Sequence, residues 1–372
     1  MSHPASAPEP RADGAAAAPS LSVVIATRSG WSSIPRTVAC LAEQTIADRI
    51  ELVLVAMGAE GAAAESPAVG AAPEAAAGAE SPAVGAAPEA AAGAESPAAG
   101  AAPEAAAALW GHRVLAAPHA RSVADANAAG ARVAQADVVA FGEDHAFPLP
   151  GWAEALVARH REPWAVVGPV VRNANPGTLV SWADYALGYG AYAEGHPGGE
   201  VATAPGHNSS YKRAVLERHD DALEIALEAE WVFHLRLREE GERVCLEPRA
   251  VIRHVNFGML RPFLAVTRRH GRIAAAARAS AWPRPRQLVY ALGSPLIPAV
   301  RLARIVRALP PEQRARFPKR AYVPLLAGLA LDAAGQAAGF LRPSTPEDRA
   351  ALSTLELERV RFVPAAEVAA LP

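Results

Sequence analysis

Four short stretches gather side chains able to hold a cation or move a proton. GEDHAFPLPGW, residues 142–152, sets Glu143, Asp144 and His145 side by side after an apolar run. Two carboxylates and an imidazole suit Mn²⁺ or Mg²⁺ with oxygen ligands, or a mixed nitrogen and oxygen divalent site. GHNSSYKR at 206–213 adds His207, Asn208, Lys212 and Arg213, and EPRAVIRH at 247–254 ends on His254. EAEWVFHLRLREEG at 228–241 reads as a helix with Glu228 and Glu230 in its first turn and Trp231, Leu235 and Arg238 on one face. Each stretch also has a plainer reading, since carboxylates in a first helical turn favour the helix dipole without any chemistry, and surface Lys and Arg are often only solvated.

These stretches need elements to position them. LSVVIA at 21–26 is a continuous apolar run, as a strand buried on both faces requires, and IELVLV at 50–55 is a second. Between them Ile34, Val38 and Leu41 fall at helical spacing, after Ser32 and Ser33 as caps and Pro35 in the first turn. An Ala-rich helix over 123–136, a strand over 137–141, a helix over 152–161 and a strand over 164–168 continue the alternation. The pattern predicts an α/β fold with a mostly parallel sheet covered by helices on both faces, its ligands at the carboxyl ends of the strands. The chemistry then belongs to the loops after residues 26, 55 and 141. Trp182, Tyr185, Tyr189 and Tyr192 lie between the motifs, as core residues or as a stacking surface for a sugar.

In joint order these motifs resemble the family-2-type glycosyltransferases of the GT-A fold. VVIATR is similar to their first strand, and residues 123–152 resemble their helix, strand and acidic metal motif trailed by Pro-x-Pro-Gly-Trp, with Asn127 at the place of a recurrent Asn. EAEWVFHLRLREEG resembles their Glu-Asp-x-x-Leu-x-x-Arg-Leu helix, and His254 stands where a later His often completes the metal site. The chain departs from the pattern at three points: VAMGAEG has Met57 and no acid after the second strand, His145 replaces a second carboxylate, and Ala229 precedes Glu230. The resemblance implies a GT-A-like domain over 20–256 that moves a sugar from a nucleotide diphosphate donor to an acceptor hydroxyl, with inversion. It implies Glu230 as general base with Glu228 in reserve; Thr27, Arg28, Asn127, Glu143 and Asp144 on the donor; and Asp144, His145 and His254 on a divalent cation, Mn²⁺ or Mg²⁺. His207 and Asn208 would line the acceptor side and Lys212 or Arg213 would meet diphosphate oxygens. A catalytically degenerate domain that binds a nucleotide or glycan is the alternative that Met57 and His145 suggest.

The rest of the 372 residues divides sharply. Residues 1–19 and 59–107 hold mainly Ala, Pro, Glu, Gly and Ser, which cannot bury a core. The second segment carries a fifteen-residue unit, ESPAVGAAPEAAAGA, beginning at Glu65, Glu80 and Glu95. It offers little to stack and reads as an unstructured loop insert. From Arg261 to Arg320 there are fourteen Arg or Lys against one acid, Glu312, although the net charge of the chain is −2. Such a block seeks a polyanion. Apolar runs and scarce aromatics favour an anionic membrane surface over nucleic acid, the alternative being a basic-tailed nucleic-acid-binding protein. Leu288–Val300 is too short to span a bilayer, while 321–341 is long enough but carries Asp332 and Gln336. The helices of 257–342 are therefore expected to lie in the interface on the cytoplasmic side, with a span at 321–341 as the alternative and residues 343–372 as a tail. Two cysteines, Cys40 and Cys245, exclude a disulfide framework, and the absence of a charged start followed by an apolar run argues against a signal peptide.

Overall fold

The computed structural model describes residues 18–58 and 102–371. The expected unstructured N-terminus and repeat insert lie outside the described residues except at their inner ends, and there the fold begins sooner than composition suggests. Pro19 is buried and the Ser20 amide donates to the Arg49 carbonyl at 2.8 Å, while Glu104–Ala108 forms a 3₁₀ turn that puts Ala106 in the core.

The elements run β1 (Leu21–Thr27), α1 (Pro35–Ala42), β2 (Ile50–Met57), β3 (Gly111–Ala117), α2 (Val123–Val133), β4 (Val138–Gly142), β5 (Ala146–Pro148), α3 (Trp152–His160), β6 (Val166–Asn173), α4 (Leu179–Tyr189), β7 (Gly199–Glu200), β8 (Ser210–Lys212), α5 (Arg213–Arg218), α6 (Leu223–Leu227), α7 (Glu230–Glu239) and β9 (Val244–His254). Then come α8 (Leu260–Ala279), α9 (Arg284–Gly293), α10 (Ile297–Ala308), α11 (Pro311–Arg316), α12 (Tyr322–Leu341), α13 (Pro346–Leu357) and α14 (Ala365–Ala369). The sheet order is β3-β2-β1-β4-β8-β6-β9-β5, with β7 also on β9.

The architecture is the expected α/β one with flanking helices, but the sheet is mixed rather than mostly parallel. β1 to β4 are mutually parallel, β8 lies antiparallel between β4 and β6, and β5 and β7 are antiparallel to β9. Side chains of β1 explain its unbroken apolar run. Val23 and Ile25 enter one core with α1, α3, α4, α8 and α12, while Val24 and Ala26 enter another with α2, α5, α6 and α7, because successive side chains on a strand face opposite ways. The α1 cap differs from the serine cap expected: Ile34 is the N-cap, Pro35 opens the helix, and Ser33 Oγ instead meets Thr27 Oγ1 at 2.6 Å.

Beyond β9 the basic region folds into α8–α12. The α8 and α12 backbones approach closely because Gly335 and Gly339 carry no side chain: a Cβ at Gly335 would lie 2.1 Å from the Arg268 carbonyl oxygen. Asp332, expected to be costly in a bilayer, is buried in this packing and paired with Arg301 Nη1 at 2.6 Å. Residues 346–369, read from the sequence as a tail, form α13 and α14 and fold back on the carboxyl ends of β1 and β4.

Candidate active site at the carboxyl end of β4

Strand registry builds the site. β5 follows directly on Glu143–His145 and pairs with the end of β9, so that Ala146 faces His254 and the Val255 amide donates to the His145 carbonyl at 3.1 Å. Two distant segments thereby place two imidazoles edge to face, ring centroids 5.0 Å apart. Ligand atoms of Glu143, His145 and His254 all lie within 4.8 Å of one another, and all three residues are buried. Glu143 Oε2 stands 3.2 Å from His254 Nε2 and Glu143 Oε1 3.4 Å from His145 Nε2.

The donor set fits a divalent cation. Nε2 of His145 is buried without a hydrogen-bond partner, and one carboxylate with two imidazoles is a mixed nitrogen and oxygen set. Asp144, expected among the ligands, instead places Oδ1 2.7 Å from His145 Nδ1, the outer position that orients a ligating imidazole. On the other ring, Asn256 Oδ1 is 3.3 Å from Nδ1 of His254 and the Tyr189 hydroxyl is 3.0 Å from its Nε2.

Burial opposes charge on Glu143, yet His145 and His254 hold its carboxyl well below the usual carboxylate range. Burial would also lower His145, but the Glu143 charge and the Asp144 bond raise it to about 9. For His254 burial prevails over the bond to Glu143, and it falls to about 4.

β8 delivers the second half of the site. It runs antiparallel to β4, with Ser210 opposite Ala140, so the residues before it pass the carboxyl end of β4. Asn208 Nδ2 donates to Glu143 Oε2 at 2.6 Å. The neighbouring His207, at φ 59, turns its amide onto Glu230 Oε1 at 2.6 Å. A non-glycine residue in this left-handed region is uncommon and recurs at functional sites. The same registry moves Lys212 and Arg213 away. Lys212 lies opposite Val138 at the amino end of β4 and donates to the Glu162 carbonyl, while Arg213 pairs with Asp137 and Glu217. Neither reaches the Glu143 end, so the expected diphosphate contact is corrected.

Glu230 opens α7 and is buried. Its Oε2 accepts the Tyr211 hydroxyl at 2.6 Å, and that hydroxyl lies 2.7 Å from His234 Nε2. Nδ1 of His234 accepts the Ala204 amide at 3.2 Å, so the proton of the neutral ring sits on Nε2 and is donated to Tyr211. Burial holds His234 down at about 3, which keeps it neutral. Burial also raises Glu230, against the lowering by His207 and Tyr211. The result is an oriented carboxylate of increased basicity beside the cation group.

Of the remaining expected residues, Glu228 is raised by burial and pairs with Arg349 at 3.4 Å. Thr27 is tied into its own loop, Arg28 donates to Thr354 Oγ1 at 2.9 Å, and both amide atoms of Asn127 are buried without a hydrogen-bond partner. Tyr185 belongs to the core and Trp182 to its edge. The sequence motifs did not single out Tyr211, His234, Asp184, Glu356 or Arg359. Arg359 is buried, stacks 4.2 Å over Phe257, and is shared by Asp184, at 2.8 Å, and Glu356. Despite burial, Arg359 holds Glu356 down at about 2, whereas for Asp184 burial outweighs the same cation and raises the carboxyl.

Residues 99–220 match the family model described as Glycosyl transferase family 2. Among solved structures, mannosyltransferase PcManGT from Pyrobaculum calidifontis, in complex with GDP-Man and Mn²⁺, is similar at 16% identity over 86% of this chain and 87% of that one, with a TM-score of 0.46. GalNAc-T7 with UDP, GalNAc and Mn²⁺ is similar at 14% identity, covering 63% of this chain and 43% of that one, with a TM-score of 0.38. Among curated proteins none matches.

Proposed function

We propose that this chain, whose residues 99–220 match the Glycosyl transferase family 2 model, is a glycosyltransferase that moves a sugar from a nucleotide diphosphate donor to an acceptor hydroxyl with inversion. The observation that carries this reading is the joining of two groups by adjacent residues: Asn208 binds Glu143 of the cation group and His207 binds Glu230. Glu143, His145 and His254 would hold a divalent cation, which when bound supplies positive charge to the leaving diphosphate. Glu230 Oε1 takes the proton of the acceptor hydroxyl as its oxygen bonds to the anomeric carbon, and the bond to the diphosphate oxygen breaks on the opposite face. Tyr211 and His234 hold that carboxylate in place. Glu230→Gln should lower turnover by roughly 10² to 10⁴ with donor affinity nearly constant, and Glu228→Gln much less. Equal losses from both variants would end the assignment.

The α9–α10 face supports an acceptor at a membrane. Leu288, Leu292, Leu296 and Val300 recur every fourth residue and are all exposed, Leu292 at 80%. Arg284, Arg286, Arg304 and Arg307 flank them, also exposed. An apolar ridge edged by cations complements an anionic bilayer surface. Among the described residues two segments, Arg284–Ala308 and Lys319–Leu341, are long and apolar enough to cross a membrane. The second packs through Gly335, Gly339 and Asp332 against protein, which favours docking through α9–α10 over a span. Leu292→Glu with Leu296→Glu should abolish flotation with anionic liposomes; unchanged flotation would refute the docking face.

A further inference from the structure

In the strand order β3-β2-β1-β4 the connections reverse between β1 and β4, and the crevice outside the carboxyl ends at such a point is where α/β sheets bind nucleotides. α13 fills this crevice. Arg28, just after β1, donates to Thr354 Oγ1 at 2.9 Å, and the Val123 amide at the start of α2 donates to Ser353 Oγ at 3.0 Å. Arg349 reaches Glu228 at 3.4 Å. Leu352, Ser353 and Glu356 wall a cavity with Val123, Glu143, His207 and Glu228, and its volume is about 20 Å³. That is room for roughly one water, whereas pockets for small organic ligands run to about 300–1,000 Å³. α13 is anchored from behind by Asp348 on Arg272 at 3.0 Å and by Arg359 on Glu356.

We infer that α13 is an autoinhibitory plug, seated in the donor crevice between β1 and β4 and displaced when a nucleotide diphosphate binds. The inference rests on the donor reading above. Its polar contacts to the crevice are one hydrogen bond from each of two donor-side elements and one ion pair to the largely buried Glu228, beside the apolar packing of Leu352, and the charged phosphates of a ligand would compete for the two cations, Arg28 and Arg349. A binding-competent state populated only when α13 withdraws lowers apparent affinity by that population, so loosening α13 should tighten donor binding.

The test uses the full-length chain and a variant with Arg349→Ala and Thr354→Ala, both outside the catalytic machinery. UDP and GDP, each with Mn²⁺, are titrated calorimetrically into both proteins. The variant should bind roughly two-fold to tenfold more tightly, given the modest worth of surface contacts. In the wild type, amide exchange over 346–357 should accelerate when nucleotide is added. Equal affinities, with 346–357 equally or better protected in the bound wild type, would overturn the plug while leaving the donor reading intact. Failure of both proteins to bind any nucleotide diphosphate would overturn the donor reading and the plug together.

Discussion

Arg359→Met removes the one cation shared by two buried carboxylates while keeping a chain long enough to lie against Phe257. Glu356 is held down at about 2 in the folded protein, against roughly 4.3 in an unfolded chain. A depressed carboxyl stabilises above its unfolded pKa, and the contribution disappears as pH falls toward the folded value. A gap of a little over two pK units is worth about 3 kcal/mol at neutral pH. Removing one partner of a buried ion pair costs about 3–5 kcal/mol because the other is left without compensation, so the two routes agree. In the variant Glu356 is buried without its counter-ion and its pKa rises above the unfolded value. Acidification from pH 7.5 to 5.5 should then recover part of the loss in the variant and none in the wild type. Urea denaturation followed by tryptophan fluorescence at both pH values reads this directly. A loss below about 1 kcal/mol, or the same loss at both pH values, would refute the role given to Arg359.

The pH profile of kcat/KM should show an acidic limb above the ordinary Glu value of about 4.3, because burial raises Glu230 and only its carboxylate form accepts a proton; a limb at or below that value contradicts the assignment. Gly335→Ala would force a Cβ to 2.1 Å from the Arg268 carbonyl oxygen, and the resulting separation of α8 from α12 should cost about 1–3 kcal/mol in a thermal melt. Ala338→Ser on the exposed face of α12 is the control and should stay within about 0.5 kcal/mol.

Strands β1, β2 and β4 were legible because burial on both faces writes them as continuous apolar runs, and the loop after β4 followed from their alternation. β3 was not, since GHRVLAA is only partly buried and mixes charge with small residues. The clustering of Glu143 with His254 needed the antiparallel pairing of β5 with β9, which no local pattern encodes; only the family resemblance brought His254 forward. Lys212 and Arg213 misled for the opposite reason. Their closeness in sequence to His207 suggested closeness in space, but an extended strand of a few residues carries them to the amino end of β4, opposite the Glu143 end. Glu356 and Arg359 lie in a charged, helix-forming stretch that reads as surface, and their burial comes from α13 returning to the crevice.

If Glu143, His145 and His254 hold a cation for a nucleotide-sugar donor, donor binding must depend on that cation and on both imidazoles. Calorimetric titration of UDP- and GDP-sugars with Mn²⁺, with EDTA, and on His145→Ala and His254→Ala tests it most directly. One donor should bind with Mn²⁺, and EDTA or either substitution should weaken it by at least about tenfold. A donor that binds and is turned over equally well in EDTA and in both variants would contradict it.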